Sequence, residues 1–463
     1  MASEDPTKVS IKLLIDQESN KVIVAEAGSD IVDILRSLLK FPLGNIARLI
    51  GKHQCLQRAG CLNNLYNSVE NLSLTSFRTD ACKPMLLYPR SIYEDEYSKK
   101  LKLYMDVSEP TGYFLCGTYL CIKTGSWFSH YKTSRCSCGE LMDNPTDIGE
   151  LKDSPTDMCL KVGTVAYKDE SEGESMFFMT DDLRVMHGLP GDLMNILLNL
   201  GINNVCQIEE KVVDISSKES HSLFSKTTLT DVFLRKQSTM FVQQFMLVAP
   251  NVKERTEKDS KTRVKIMLRK SDRKILYGEA NEDFVDLLFS FLAIPLESAL
   301  ELLGGKDFTV GSISNLLKDL DTIFSITKQN SYQDGILPPF YSCPIELPSI
   351  CSQQPTKIFH KSYGYLKQSD PKSPILEKTN SRGYFKKKSL FLITDDLVVK
   401  SLSSASSFSL LKETGTPLCD VEQQVISIGE VEALALLRAC LCSSSALSAL
   451  LNLYVKQPKQ EPQ

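Results

Sequence analysis

The sequence predicts an α+β fold made by tandem duplication of one unit. Three observations support this prediction: an internal repeat, the same order of strand and helix patterns in both copies, and a cysteine-rich insertion in the first copy only. The chain has 463 residues, of which 42% are hydrophobic and 24% charged. That length is typical of roughly two to four folding units, and the repeat favours two.

The repeat is visible when the chain is aligned with itself. A shift of 253 positions pairs residues 11–50 with residues 264–303 without a gap, and thirteen of the forty positions are identical. Unrelated segments would share about two or three. A second repeated segment, Thr-Asp-Asp-Leu, begins at Thr180 and again at Thr394, so the first copy holds 39 more residues between the two segments.

Each copy begins with the pattern of a β-hairpin followed by a helix. In residues 11–24, two apolar strands flank a polar turn. Apolar residues then recur at helical spacing over residues 31–39, and Pro42 ends the pattern. The second copy repeats this order up to Pro295. A hairpin followed by a helix is similar to the β-grasp arrangement of ubiquitin-like folds.

The second part of each copy is predicted to contain short strands and then helices. Apolar residues 176–179 and 390–393 lead into the Thr-Asp-Asp-Leu motifs, and a helical pattern near residues 431–441 closes the second copy. Asp181 and Asp182 could bind a metal. Adjacent Asp side chains on an extended chain point in different directions, so we interpret them as turn residues.

Charge and composition predict the boundaries between these units. A charged segment with almost no apolar residue is typical of a solvated linker. The predicted regions are a first α+β repeat at 8–235 with a Cys-rich insertion at about 105–145, a charged linker at 251–263, a second repeat at 264–455 and a disordered tail at 456–463.

Four cysteines in the insertion form the only pattern with recognisable chemistry. Cys116, Cys121, Cys136 and Cys138 fall within 23 residues, and Gly139 follows the last of them. Two close pairs of thiolates separated by a loop can surround a tetrahedral Zn²⁺, as in a zinc ribbon. The spacing departs from two Cys-x-x-Cys pairs. With all four positions filled by protein, the predicted Zn²⁺ is structural rather than catalytic.

Two alternatives to this metal site remain open from the sequence. The four residues could be ordinary buried thiols, as could the neighbouring Cys55, Cys61, Cys82 and Cys159. His130 lies between the two pairs and could replace one sulfur, as could Cys82 or another cysteine.

Charge and terminal sequence indicate the compartment and limit the partners. The formal net charge is −4, without a broad basic surface for nucleic acid or anionic membrane. The N-terminal residues lack the pattern of a secretory signal, so we expect a cytoplasmic or nuclear protein without a membrane partner. Histidines, glycines and acidic residues match no catalytic or cofactor-binding motif, so the sequence predicts no catalytic residue.

Several segments together resemble a known family. They are residues 12–16, 25–28, 30–39, 62–66, 100–103, 135–139 and both Thr-Asp-Asp-Leu motifs. Their combination resembles the plant family catalogued as domain of unknown function 674. The resemblance covers nearly the whole chain and implies a plant protein with repeated units, but no activity or substrate. In the second copy Cys343 and Cys351 stand in place of the cluster, so we expect no metal there.

These observations predict a non-enzymatic module that binds protein partners and contains one structural zinc. The first alternative is nucleic-acid binding through the zinc element, with positive charge and stacking surfaces from Lys123, Lys132, Arg135, Tyr119, Trp127 and Tyr131. The second alternative is an enzyme of unrecognised class, because active sites assemble in space rather than in sequence.

Overall fold

The computed structural model of the chain describes residues 9–52, 61–90, 112–118, 120–121, 127–146, 176–189, 191–202, 205–215, 219, 228–234, 262–304, 313–323, 337, 340–341, 350, 352, 355, 357–360, 364–373 and 383–455. We call the part up to residue 234 the first half and the part from residue 262 the second half. The predicted tail and most of the predicted linker lie outside the described residues.

The described residues form fifteen strands and twelve helices. The strands are β1 Val9–Asp16, β2 Lys21–Ala27, β3 Tyr113–Leu115, β4 Trp127–Ser129, β5 Asn144–Thr146, β6 Phe177–Thr180, β7 Val185–His187, β8 Ile208–Ile215, β9 Thr262–Arg269, β10 Ile275–Asn281, β11 Lys357–His360, β12 Gly364–Gln368, β13 Leu390–Ile393, β14 Val399–Ser401 and β15 Val421–Ile428. The helices are α1 Ser29–Leu39, α2 Leu43–Lys52, α3 Leu62–Asn71, α4 Cys82–Leu87, α5 Asp192–Asn199, α6 Leu229–Phe233, α7 Glu282–Ser290, α8 Leu296–Leu302, α9 Ile313–Ile323, α10 Ser404–Glu413, α11 Glu430–Cys442 and α12 Ala446–Val455. None of these helices is long and apolar enough to cross a bilayer.

Each half contains a five-stranded antiparallel sheet, and the strand order is the same in both. The orders are β7-β6-β2-β1-β8 and β14-β13-β10-β9-β15. The register also agrees, because Lys12 faces Glu26 in the first hairpin and Lys265 faces Glu279 in the second. The predicted mixed α+β fold is therefore confirmed, and each half opens with the predicted hairpin.

One hydrophobic core connects the two halves. Leu35 of α1 and Leu288 of α7 are fully buried in the same cluster of side chains, together with residues from both sheets. The apolar stripes predicted for these helices therefore face a shared interior. On the opposite face of each sheet a smaller cluster packs against one helix, with Leu197 of α5 in the first half and Leu410 of α10 in the second.

A third sheet takes strands from both halves. Its order is β11-β12-β4-β3-β5, in which β3, β4 and β5 come from the predicted insertion and β11 and β12 from the second half. The join between halves is the parallel pair β4 and β12, with Trp127 beside Lys367 and Phe128 beside Gln368. The backbone N–H of Ser369 extends this join by donating to the Phe128 carbonyl at 2.8 Å. The insertion is thus part of a sheet that joins both halves.

The two Thr-Asp-Asp-Leu motifs form turns, as the sequence predicts. The Leu183 N–H donates to the Thr180 carbonyl at 3.0 Å, and Leu397 makes the same bond to Thr394 at 3.0 Å. Both leucines adopt a left-handed backbone with φ of 61° and are buried. A left-handed leucine is strained, and the buried side chain holds each turn in place.

The first aspartate of each motif binds the start of a helix in its own half. Asp181 Oδ1 accepts from the Thr230 backbone N–H at 2.7 Å, at the beginning of α6. Asp395 Oδ1 accepts from the Ser448 backbone N–H at 2.7 Å, at the beginning of α12. A carboxylate at a helix start satisfies N–H groups that have no partner within the helix.

Candidate metal centre

The first two cysteines of the insertion lie directly after β3. Cys116 follows the last residue of that strand, and the Cys121 N–H donates to the Thr118 carbonyl at 3.0 Å, which folds the short connection back. The Thr118 N–H lies 3.5 Å from Cys116 Sγ. A backbone donor at this position stabilises a thiolate and orients it.

The other two cysteines lie in a tight turn between β4 and β5. The Gly139 N–H donates to the Cys136 carbonyl at 2.9 Å, and the Cys136 N–H donates to the Glu140 carbonyl at 2.8 Å. Gly139 has a φ of +91°, a conformation that side chains disfavour. The glycine noted in the sequence therefore lets the chain turn sharply enough to direct Cys136 and Cys138 to the same point.

The four thiols converge. The Sγ atoms of Cys116, Cys121, Cys136 and Cys138 all lie within 4.8 Å of one another, and those of Cys116 and Cys138 are 3.5 Å apart. Tetrahedral Zn²⁺ with Zn–S bonds of about 2.3 Å holds its sulfurs about 3.8 Å apart. The residues present therefore fit a tetrathiolate metal site with little rearrangement.

One side of the cluster is buried and the other faces solvent. Cys116 and Cys136 are buried against fully buried Met142 and half-buried Trp127, while Cys138 is exposed. The Arg135 guanidinium donates to the Gly139 carbonyl at 2.9 Å, which connects the two sides of the turn. An apolar floor strengthens metal–thiolate attraction by excluding water.

The thiols differ in acidity for identifiable reasons. The Glu140 backbone N–H is the main cause that lowers the pKa of Cys138 to about 7. A hydrogen bond to the Cys138 side chain is the main cause that raises the pKa of Cys121 to about 12, and burial raises the pKa of Cys116. Because only thiolates ligate metals, loading this cluster would release protons.

The residues that the sequence left as alternative ligands lie elsewhere. The His130 ring packs between Tyr113 and Phe128, with ring centroids 4.9 Å and 5.3 Å away. Cys82 is fully buried in α4, where its thiol lies 3.2 Å from Thr79 Oγ1. Cys55 and Cys159 lie outside the described residues.

The sequence did not reveal that the second half contributes to this region. β11 and β12 complete the sheet that carries the cysteines, although they come from a part of the chain more than 200 residues away. His360 of β11 lies 3.1 Å, Nε2 to Oγ1, from Thr146 of β5. No motif in either segment indicates this pairing, because short strands pair through backbone groups that every residue has.

Fold and site together define the class of protein. It is an α+β protein in which two sheets of the same strand order surround one core, and a third sheet shared by both halves carries a four-cysteine centre. The family comparison matches residues 5–431 to the family described as "Protein of unknown function (DUF674)", and the chain belongs to that family. The resemblance found in the sequence is thereby confirmed. No curated protein and no solved structure matches the chain.

Proposed function

We propose that the protein is a non-enzymatic protein-interaction module that contains one structural Zn²⁺ bound by Cys116, Cys121, Cys136 and Cys138. The observation that carries the proposal is the convergence of four sulfur atoms within 4.8 Å. Soft thiolate donors in tetrahedral arrangement favour Zn²⁺, and iron is the main competitor for such a site. Among the described residues, no other group of three or more His, Cys, Asp or Glu side chains could hold a metal ion.

The donor set supports a structural rather than a catalytic role for the metal. Four protein ligands complete a tetrahedral shell and leave no position for water or substrate. The centre instead would fix the two loops that precede and follow β4, and β4 pairs directly with β12 of the second half. A metal here would therefore stabilise the shared sheet. Such a thiolate site needs a reducing compartment, which supports the proposed cytoplasmic or nuclear location.

The repeated architecture supports the other part of the proposal. Equal strand order and register in the two sheets favour tandem duplication of one unit, and linked units are common in proteins that bind partners. The likeness to β-grasp proteins rests only on the hairpin followed by a helix.

Nucleic-acid binding through the zinc element is less well supported, because the stacking residues have other contacts. The Tyr131 and Tyr341 hydroxyls lie 2.5 Å apart, so Tyr131 is bound to the second half. Trp127 packs against the cysteine cluster, with the Lys367 ammonium 5.8 Å from its ring centroid. Arg135 binds the Gly139 carbonyl. Tyr119 and Lys123 lie outside the described residues.

Metal analysis of the purified full-length protein tests the zinc site. We expect about one zinc per chain, and loss of nearly all of it in the Cys116→Ser/Cys136→Ser variant. The matched control is Cys206→Ser/Cys419→Ser, which removes two exposed cysteines that are not part of the cluster and should leave the zinc content unchanged. Wild-type protein that binds neither Zn²⁺ nor Co²⁺ under reducing conditions would exclude the metal site.

Partner binding is tested by capture followed by titration. Tagged full-length protein should isolate a protein partner that, once purified, binds saturably with a defined stoichiometry. The Cys116→Ser/Cys136→Ser variant shows whether binding requires the metal centre. Turnover of a small molecule by the purified chain, without any saturable protein partner, would contradict the proposal and favour the enzyme alternative.

A further inference from the structure

The two halves exchange helices. Helix α3 of the first half packs against β14 of the second, and helix α9 of the second half packs against β7 of the first. β7 and β14 are equivalent strands, since each is the edge strand that follows the Thr-Asp-Asp-Leu turn, next to β6 or β13. Each half therefore completes the sheet surface of the other.

An asparagine on each exchanged helix binds the Thr-Asp-Asp-Leu turn of the opposite half. Asn64 Nδ2 donates to the Asp396 carbonyl at 2.8 Å and to its Oδ2 at 3.0 Å. Asn315 Nδ2 donates to the Asp182 carbonyl at 3.1 Å and to its Oδ2 at 3.2 Å. The second aspartate of each motif thus serves the contact between halves, while the first serves its own half.

The same helices cover the open edges of the two sheets. The Val399 N–H on β14 donates to Ser68 Oγ of α3 at 2.8 Å. The Val185 N–H on β7 donates to Asp319 Oδ2 of α9 at 3.0 Å. The unpaired N–H groups of an exposed edge strand can pair with another chain and cause aggregation. If the edge is buried instead, each unpaired N–H group lowers the stability of the fold by about 1–3 kcal/mol.

At the centre of the interface, two equivalent backbone hydrogen bonds join the halves. The Leu43 N–H donates to the Ile294 carbonyl at 2.9 Å, and the Leu296 N–H donates to the Phe41 carbonyl at 2.9 Å. A shift of 253 positions converts each bond into the other. Between them, Pro42 and Pro295 form an antiparallel bridge. Contacts that map onto one another in this way define a two-fold, self-complementary interface.

We infer that this interface is a self-pairing surface whose natural partner is a second copy of the same unit, and that the chain is such a pair joined in one polypeptide. The surface consists of α3 or α9, the Thr-Asp-Asp-Leu turn with its following strand, and the segment around Pro42 or Pro295. The two halves are obligate partners and not independent modules. The inference is independent of metal binding and of any external partner.

Cleavage of the full-length protein between the halves tests the inference. A specific-protease site replaces residues 251–260, and the folded protein is cut and passed over gel filtration under native conditions. We expect both fragments to elute together at the size of the uncut chain and to separate only in denaturant. Fragments that separate without denaturant, each with native circular dichroism, would overturn the inference.

Substitution of the two asparagines tests the reciprocal contact itself. In the cut protein, Asn64→Ala/Asn315→Ala should weaken association of the fragments roughly tenfold or more, because four hydrogen bonds are lost. Asn195→Ala/Asn199→Ala, which changes two exposed asparagines of α5, is the matched control. Equal association of both variants would refute the role of the asparagines. If the Asn64/Asn315 variant does not fold, the cut wild-type protein still decides.

Amide exchange provides a readout that crosses the interface. Ser68→Ala removes the acceptor in the first half, and the Val399 amide in the second half should then exchange roughly tenfold faster. Unchanged exchange at Val399 would show that α3 does not cover this edge.

Discussion

The two halves share a framework but differ in what is attached to it. Their sheets agree in strand order and register, and their reciprocal contacts agree pair by pair. Among the described residues, a four-cysteine cluster occurs in the first half only, and Cys343 and Cys351 of the second half lie outside those residues. The comparison teaches that the hydrogen bonds of the mutual interface recur in both halves even where the side chains differ, whereas the cysteine cluster has no such counterpart among the described residues.

Two equivalent helices differ in the burial of one carboxylate. Asp33 of α1 and Asp286 of α7 occupy equivalent positions in the repeat, yet Asp33 is exposed and Asp286 is fully buried. Asp286 Oδ1 accepts from the Tyr384 N–H at 2.8 Å, and its Oδ2 has no hydrogen-bond partner among the described residues. Burial raises the pKa of Asp286 to about 8, and the nearby Lys372 ammonium acts in the opposite direction.

The largest expected effect tests whether the halves form one core. Leu35→Ala and Leu288→Ala remove equivalent, fully buried side chains. Each should lower the free energy of unfolding by about 3 kcal/mol and shift one common transition. Urea unfolding followed by circular dichroism and by fluorescence of Trp127, the only tryptophan, measures this. Two separate transitions, with each variant shifting only its own, would show that the halves are independent.

A smaller effect should distinguish Asp286 from Asp33 by pH. In the unfolded chain Asp has a pKa of about 4, so between about pH 4 and 8 only the folded state keeps Asp286 protonated. Its contribution to stability is therefore present at low pH and lost as pH rises toward 8. Asp286→Asn should reduce the fall in stability between pH 6 and 8 by about 1–2 kcal/mol.

Asp33→Asn is the control for this pH effect, since its side chain is exposed. Denaturant midpoints of the three proteins at pH 6, 7 and 8 give the comparison. If the denaturant midpoints of the wild-type protein and of Asp286→Asn change with pH in parallel, Asp286 is not protonated in the folded state.

The smallest expected effect concerns asymmetry at the centre of the interface. Gly44 is equivalent to Glu297, whose carboxylate pairs with the Lys40 ammonium. A Cβ at Gly44 would lie 3.0 Å from the Leu292 carbonyl oxygen, so Gly44→Ala should lower the free energy of unfolding by about 1 kcal/mol. Gly117→Ala, where the added Cβ meets nothing within 4 Å, should change it little. Thermal unfolding compares the two variants with the wild-type protein. If Gly44→Ala is as stable as Gly117→Ala, the close contact with Leu292 is not the reason for a glycine at position 44.

Local patterns were sufficient for part of this structure. Hairpin alternation, the helical stripe before Pro42, the turns at Thr180 and Thr394, and the cysteine spacing with Gly139 all depend on neighbours within a few residues. For that reason the sequence predicted the first two strands of each half and the grouping of the four cysteines, and the structure shows both.

The sequence by itself determined the repeated pattern of residues, the opening hairpins and the set of four cysteines, because periodicity, turn chemistry and ligand spacing depend on short segments. Only the tertiary structure decided that α3 and α9 cross to the opposite half, that β12 pairs with β4, and that Asp286 is buried while Asp33 is not. Such choices between distant segments depend on which surfaces can be buried together, and many pairings satisfy the same local pattern.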